Sequence, residues 1–226
     1  MTRSTTWRTG ARLDVALALA VLYALAVPPA AQAADRVRTA PHTTIVVRVY
    51  DGSGLATRDV REANRVASDI LAEAGIDLQW RLCPDLIEGV DACRQPLAAN
   101  EAVLRIIPAA AQMTAEPAAL GFTLLDPTGR QAVLSTVFID RVLDVATRAK
   151  VDPTLLAGRA MAHEIGHLLL GTSGHASGGL MRAFWSDDTL RSRARDDWFL
   201  LPEEADAIRA NRLRAPDIEV AGGSQD

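Results

Sequence analysis

The sequence predicts an α+β or α/β fold built on a mixed sheet of about five strands, and three observations lead to this prediction. Short segments with alternating apolar residues are interleaved with segments whose apolar residues recur at helical spacing. The first strand, helix and second strand form a βαβ unit, which makes two strands parallel. Two later strands flank a Pro/Gly turn, which favours an antiparallel hairpin.

The βαβ unit occupies residues 43–82. In TTIVVRVY (43–50) the apolar residues Ile45, Val47 and Val49 alternate, as in a strand with one buried face. Apolar residues recur every three or four positions over 58–74, and Gly75 can end that helix. Alternation returns in IDLQWRL, 76–82, which predicts the second strand.

The rest of the chain predicts three more strands and two more helices. The strands are at 101–107, 118–125 and 131–139, and the turn of the hairpin is Pro-Thr-Gly-Arg at 127–130. A long apolar helix is expected at 154–170, with Asp152 as N-cap, Pro153 at its first position and Gly171 at its end. A last helix is predicted at 202–214.

The N-terminal stretch has the pattern of a secretory signal peptide, predicted at 1–33 and cleaved. Three arginines precede an apolar run at 15–27, and Ala-Gln-Ala at 31–33 forms a small-x-small exit. The run is too short to span a bilayer as a helix, although an uncleaved N-terminal anchor is the alternative interpretation. The mature protein is therefore expected to be secreted or periplasmic, without stable membrane association.

Charge argues against nucleic acid as a partner. The formal net charge is -4, and removal of three Arg and one Asp with the signal peptide shifts it to -6. A mildly acidic domain lacks the basic surface that nucleic acid requires. The sequence gives no prediction of oligomeric state.

The two cysteines, Cys83 and Cys93, lie ten positions apart around a loop-like stretch. An even count at short spacing in an exported protein suggests a disulfide. Two free thiols and a metal site are the alternatives; the second lacks a CxxC spacing and a nearby histidine.

Three of the four histidines cluster in MAHEIGHLLLGTSGHASGGLM, 161–181. His163 and His167 are four apart on the predicted helix, so both rings can reach one ion such as Zn²⁺. Glu164 is placed beside them, where it can accept a proton from water rather than bind the metal. A charged glutamate in so apolar a helix needs a reason, which favours a site over packing histidines.

This stretch resembles the active site of the metzincin metalloproteases, most nearly the matrixin branch, whose motif is HExxHxxGxxH followed by a methionine turn. Here the spacing is HExxHxxxGxxxH, two residues longer. The resemblance implies that His163, His167 and His175 bind zinc, that Glu164 is the general base, and that Gly179-Leu180-Met181 is the methionine turn with Met181 beneath the metal. The glycine-rich stretch 171–174 can absorb the extra length.

Another source for the third metal ligand stays open. As in gluzincins, a downstream glutamate could replace His175, and the candidates are Glu203 and Glu204, with Asp187 and Asp188 weaker. The fourth histidine, His42, lies far away at the mature N-terminus.

The resemblance also covers the order of elements. It implies a twisted mixed sheet with a backing helix, an active-site helix and an antiparallel edge strand at 118–125 that pairs with a peptide substrate. It further implies one catalytic domain, 34–226, divided into an N-terminal subdomain (34–171) and a small, mostly irregular and helical C-terminal subdomain (172–226).

The expected function is that of an exported zinc-dependent endopeptidase acting on a peptide or protein substrate. Two other functions fit parts of the pattern: a zinc-binding envelope protein without turnover, and a structural protein whose histidines coincide by chance. Bound zinc and peptide hydrolysis distinguish the three.

Overall fold

A five-stranded mixed sheet is the framework of this protein, for which we describe a computed structural model over residues 43–83, 91–109, 119–125 and 132–214. The strand order is β2-β1-β3-β5-β4. The strands are β1 Thr43–Asp51, β2 Ile76–Cys83, β3 Glu101–Ile107, β4 Gly121–Leu125 and β5 Ala132–Phe138. All neighbours are parallel except β4, which pairs antiparallel with β5 at one edge. The predicted fold class is confirmed.

Six helices accompany the sheet in these described residues. They are α1 Thr57–Ala72, α2 Asp91–Arg94, α3 Ile139–Ala149, α4 Pro153–Leu170, α5 Asp187–Arg191 and α6 Pro202–Arg214, with a 3-10 turn at Arg195–Asp197. All of them belong to one compact unit, Pro41–Asp226. None of the described helices combines the length and the apolar character that crossing a membrane would require. The predicted signal peptide at 1–33, His42 and the hairpin turn at 127–130 lie outside the described residues.

The βαβ unit forms as its apolar pattern predicts. Ile45, Val47 and Val49 are each fully buried, and β1 pairs in parallel with β2 in a register that places Ile45 opposite Leu78. These β1 residues share one apolar core with the buried residues of α1, and their burial stabilises this half of the sheet.

Helix α4 packs against both α1 and the sheet. A β-carbon at Gly158 would lie 2.5 Å from Val66 Cβ, so only glycine allows this close approach between α4 and α1. The predicted ends of α4 are confirmed: the Asp152 carboxylate accepts from the N–H groups of Thr154 and Leu155, and Gly171 ends the helix with φ 67°.

The edge strand and the hairpin agree with the prediction, with shorter bounds. β4 begins at Gly121 rather than at Ala118, which lies outside the described residues, and Gly121 pairs with Val137 of β5. This arrangement places β4 alongside the last part of α4.

Three helices of the described residues are missing from the sequence prediction: the short helices α2 and α5, and the eleven-residue helix α3. The predicted strand 131–139 ends at Phe138, and the chain continues directly into α3. Its buried residues Ile139, Val142, Ala146 and Ala149 follow helical spacing. No side chain caps its first turn and no glycine or proline separates it from β5, so the usual start signals are absent.

A disulfide joins Cys83, at the end of β2, to Cys93 in α2, as the cysteine spacing predicts. The two Cα atoms are 5.8 Å apart, a normal separation for such a bridge. The covalent link connects the two ends of the loop between β2 and α2, whose residues 84–90 are outside the described ranges.

Candidate metal centre

The last two turns of α4 carry the three motif residues His163, Glu164 and His167, and all three are buried, with 9%, 6% and 5% of their surface exposed. The side chains of His163 and His167 lie one helical turn apart on one face. Their ring centroids are 4.7 Å apart, and the two Nε2 atoms are separated by 3.1 Å.

His175 comes back to this pair after the chain turns at Gly171. Its ring centroid lies 5.4 Å from that of His163 and 4.8 Å from that of His167. Each of the three histidines offers one ring nitrogen, and these nitrogens lie within 4.8 Å of one another. Within the described residues, the two extra residues in the motif therefore do not prevent the three rings from converging.

Backbone carbonyls fix the orientation of both helical histidines. His163 Nδ1 lies 2.8 Å from Leu180 O, and His167 Nδ1 lies 2.7 Å from Thr172 O. A carbonyl oxygen can only accept, so each Nδ1 carries the proton and donates it. Metal-binding histidines usually donate their second N–H in this way.

The two Nε2 atoms then face each other without a proton between them when the rings are neutral. Two bare lone pairs at 3.1 Å repel each other, and a cation shared between them removes the repulsion. Two nitrogens bound tetrahedrally to one Zn²⁺ at 2.0–2.1 Å would lie about 3.3–3.4 Å apart, close to the observed separation. The donor set of this site therefore fits zinc.

The ring environments favour the neutral form that binds metals. Burial lowers the pKa of His163 to about 4, although the hydrogen bond to Leu180 acts in the opposite direction. Burial also lowers the pKa of His167, against the hydrogen bond to Thr172. Both rings are thus unprotonated at Nε2 near neutral pH.

The predicted methionine turn lies next to the histidine pair. Gly179 turns the chain with φ 67°, and the Ala176 N–H donates to Met181 O at 2.9 Å, closing a short loop. Met181 is 1% exposed and packs on Gly166, which lies between the two helical histidines and directly precedes His167. The same turn supplies the Leu180 carbonyl that orients His163.

Glu164 points towards the edge strand. Thr123 of β4 donates its hydroxyl proton to Glu164 Oε2 at 2.7 Å, and Ser135 of β5 donates to Glu164 O at 2.9 Å. Burial raises the pKa of Glu164 to about 7, and the hydrogen bond from Thr123 partly offsets this effect. Thr123 was not among the residues singled out in the sequence. The available signal was a hydroxyl two residues after Gly121, on the same face of the expected edge strand.

These side chains line a cleft with a volume of about 660 Å³. Residues 119–123, at the start of the edge strand, line it together with the three histidines and Glu164. Trp185 and Phe184 line it as well, and the Trp185 ring contacts His163 edge-on at 5.5 Å between centroids. An elongated molecule lying in the cleft would contact both the edge strand and the three histidines.

The rival acidic ligands lie elsewhere among the described residues. Glu204 Oε2 accepts from the Leu201 N–H at the start of α6, and Asp187 and Asp188 both pair with Arg191. Glu203 is exposed on the first turn of α6. In the part of the chain that the structure describes, the group able to hold a metal consists of His163, His167 and His175.

The chain has similarity to solved structures, but none to a family model or to a curated sequence. The chain is similar in structure to archaemetzincin from Methanopyrus kandleri, with a TM-score of 0.46 and 16% sequence identity over 76% of this chain and 97% of that one. The similarity does not bear on the matrixin-like subtype.

Proposed function

We propose that this protein is an exported zinc-dependent endopeptidase in which His163, His167 and His175 hold the metal and Glu164 is the general base. The convergence of three histidine nitrogens beside a buried carboxylate, in the lining of a cleft, is the observation that carries the proposal. A purely structural zinc site uses four protein ligands and has no need of a general base.

The three histidines would leave one position open for a small ligand. Zinc in such a site polarises a carbonyl group and lowers the pKa of water towards neutrality. The Leu180 and Thr172 carbonyls hold the His163 and His167 rings in the orientation that points both Nε2 atoms at the same place. Met181 packs behind them and would keep the turn that carries Leu180 against the helix.

Glu164 would transfer the proton. A carboxylate whose pKa lies near 7 can take a proton from the attacking water and give it to the leaving amine without a large energetic penalty in either direction. The Thr123 hydroxyl bonds Oε2 and thereby fixes the carboxylate plane, so the other oxygen remains available for the proton.

A peptide is the substrate that suits the edge strand. β4 is the last strand of the sheet, so its outer main-chain groups can pair with an extended chain. Residues 121–123 of this strand line the cleft beside Glu164, so pairing there would bring a peptide bond to the histidines. Main-chain pairing also explains how one site could act within a longer polypeptide.

The test is hydrolysis of casein and of a quenched fluorescent peptide by the mature protein, with and without a chelator. Glu164→Gln keeps the shape of the side chain and should abolish turnover while zinc remains bound. Glu203→Gln, on an exposed position, is the matched control and should behave as the native protein. Activity that survives both the chelator and Glu164→Gln would exclude the proposed mechanism.

Binding without turnover would point to a different function. A zinc-binding envelope protein would hold stoichiometric zinc in the native chain and in Glu164→Gln, with no hydrolysis in either. For the proposed peptidase, the native chain and Glu164→Gln should bind the same amount of zinc, and only the native chain should hydrolyse the substrate.

Export is part of the proposal. The Cys83–Cys93 disulfide is of a kind that persists in oxidising compartments, in keeping with a secreted or periplasmic location after cleavage near residue 33. The catalytic domain would then be 34–226, with α4 and its histidines at the boundary between subdomains 34–171 and 172–226. Mass spectrometry of the exported protein would measure the position of its N-terminus.

A further inference from the structure

A buried cation lies one helical turn before the first histidine of the metal centre. Arg159 is only 6% exposed on α4; the charge of Asp197 acts on it and raises its pKa against the larger lowering effect of burial, but its guanidinium forms no ion pair among the described residues. Its guanidinium donates instead to two backbone carbonyls, to Leu190 O at 3.1 Å and to Ser192 O at 3.3 Å. Arg159 therefore connects α4 to the segment that follows the cleft residues.

The guanidinium also stacks on an aromatic ring. Arg159 Cζ lies 3.4 Å from the centroid of the Trp198 ring, within the range of a strong cation–π contact. Trp198 Nε1 donates to Ser192 O at 2.9 Å, the same carbonyl that accepts from Arg159. The planar guanidinium and the indole are thus held in a fixed mutual orientation.

The contact continues from Trp198 to the metal centre. The Trp198 and Trp185 rings meet edge to face, 5.1 Å apart, and Trp185 meets His163 in the same way at 5.5 Å. The Trp185 Nε1 is buried and has no hydrogen-bond partner. The orientation of Trp185 in the wall of the cleft is therefore set by its packing against Trp198 and His163, since its indole N–H makes no hydrogen bond.

Stability alone does not account for an arginine at this position. Burying this charge carries a desolvation cost that Asp197 offsets only in part and that an apolar side chain of the same length avoids. A lysine could replace the charge but not the planar stacking and the two simultaneous hydrogen bonds. The features that only arginine provides are those that orient Trp198.

We propose that Arg159 is a positioning residue for the substrate cleft: by stacking on Trp198 it fixes Trp185 against His163, and so sets the part of the cleft wall that Trp185 forms. The proposal rests on the peptidase function for its kinetic consequence only. Its structural consequence, the orientation of Trp185, can be measured without any activity.

The structural test uses near-ultraviolet circular dichroism of the full mature chain. The spectrum of the native protein minus that of Trp185→Phe gives the Trp185 signal, which edge-to-face contact with Trp198 should make strong. For each variant the same difference is taken between the variant and its own double variant with Trp185→Phe. This Trp185 signal should fall by more than half in Arg159→Met and should fall partly in Arg159→Lys. In the exposed control Arg193→Met it should not change. An unchanged difference signal in a folded Arg159→Met protein would overturn the proposal; if that variant does not fold, Arg159→Lys decides by the same criterion.

The kinetic test separates positioning from a general loss of structure. Arg159→Met should raise KM for the quenched peptide about tenfold with kcat changed less than about threefold, and should leave bound zinc unchanged. In the Trp185→Phe background the same substitution should have little further effect on KM, because the pathway through Trp185 is already lost. Additive effects in the double variant, or equal losses in kcat, would contradict positioning through Trp185. If the native chain lacks peptidase activity, the proposed function fails, while the dichroism still decides on Arg159.

Discussion

Gly166 of α4 lies directly against Met181: a β-carbon at Gly166 would be 2.5 Å from Met181 Sδ and 3.2 Å from its terminal methyl carbon. This contact brings the turn of residues 179–181 close enough to the helix for the Leu180 carbonyl to accept from His163. The absence of a side chain at residue 166 is therefore part of the geometry of the histidine pair.

Gly166→Ala should weaken metal binding more than it weakens the fold. The new methyl group displaces Met181 and, with it, the carbonyl that orients His163. The loss of a hydrogen bond that orients a metal-binding histidine typically lowers metal affinity by about 10–100-fold. Competition with a chromophoric zinc chelator measures the affinity. Gly178→Ala is the control, because a β-carbon there meets only the far end of Arg182 at 3.9 Å, and it should leave the affinity unchanged.

His175→Ala should remove most of the bound zinc, since two histidines alone hold the ion weakly. Elemental analysis after dialysis should find about one zinc per chain in the native protein and far less in this variant. Glu203→Ala and Glu204→Ala should retain their zinc. Loss of zinc from a glutamate variant, with His175→Ala retaining it, would reverse the assignment of the third ligand.

Thr123→Val should shift the pH dependence of hydrolysis. The Thr123 hydroxyl lowers the pKa of Glu164 against the larger raising effect of burial, so its removal raises that pKa. Glu164 acts as a base when it is ionised, and the acid limb of kcat/KM should therefore move to higher pH. Activity on that limb should fall about tenfold, because the free energy of one hydrogen bond to a charged group corresponds to a factor of about this size.

Thr123→Ser, which keeps the hydroxyl, is the matched variant and should retain the native profile. Coincident acid limbs for the native protein and for Thr123→Val would show that this hydrogen bond does not tune Glu164.

Glu101 should contribute to stability above acid pH. Its side chain is 7% exposed; burial acts to raise its pKa, but hydrogen bonds from Arg48, the Ala98 N–H and Arg81 outweigh this and lower it. A carboxylate with a lowered folded pKa stabilises fully above its unfolded pKa, and this contribution is lost as the pH falls through the folded value. Urea unfolding as a function of pH should show this loss below the usual titration range of glutamate.

Glu101→Gln should lower the free energy of unfolding at pH 7 by about 3–5 kcal/mol, since it leaves the buried guanidinium of Arg48 without its partner. Glu62→Gln, at an exposed ion pair on α1, should have a much smaller effect. If the two substitutions lowered the free energy of unfolding equally, burial of the Arg48–Glu101 pair would not increase its contribution to stability.

The sequence predicted those parts of the fold whose local signals and burial agree. α4 begins and ends where Asp152, Pro153 and Gly171 indicate, because an N-cap acceptor and a left-handed glycine satisfy its terminal backbone groups. The β1–α1–β2 unit follows in the same way from strict alternation and helical spacing. α3 was missed because it starts at Ile139 without a capping side chain, directly after a strand rich in residues that favour strands.

The candidate site was predictable only where it is local in sequence. His163, Glu164 and His167 follow from a helical repeat, whereas contacts across the fold have no such signature. Thr123 meets Glu164 from 41 positions away, and the Arg159–Trp198–Trp185 contacts depend on how the segment after Met181 packs on α4. The proximity of His175 depends on the course of an exposed loop that composition alone does not determine.

That loop has a wider consequence. Residues 171–175 are all exposed, and Thr172 is joined to the helix by the hydrogen bond from His167 to its carbonyl. The number of residues between the helix and the third histidine can therefore vary while the three rings still meet, because the surplus chain extends into solvent. A search pattern that fixes this interval would pass over any such protein, and patterns that allow it to vary should recover more of them.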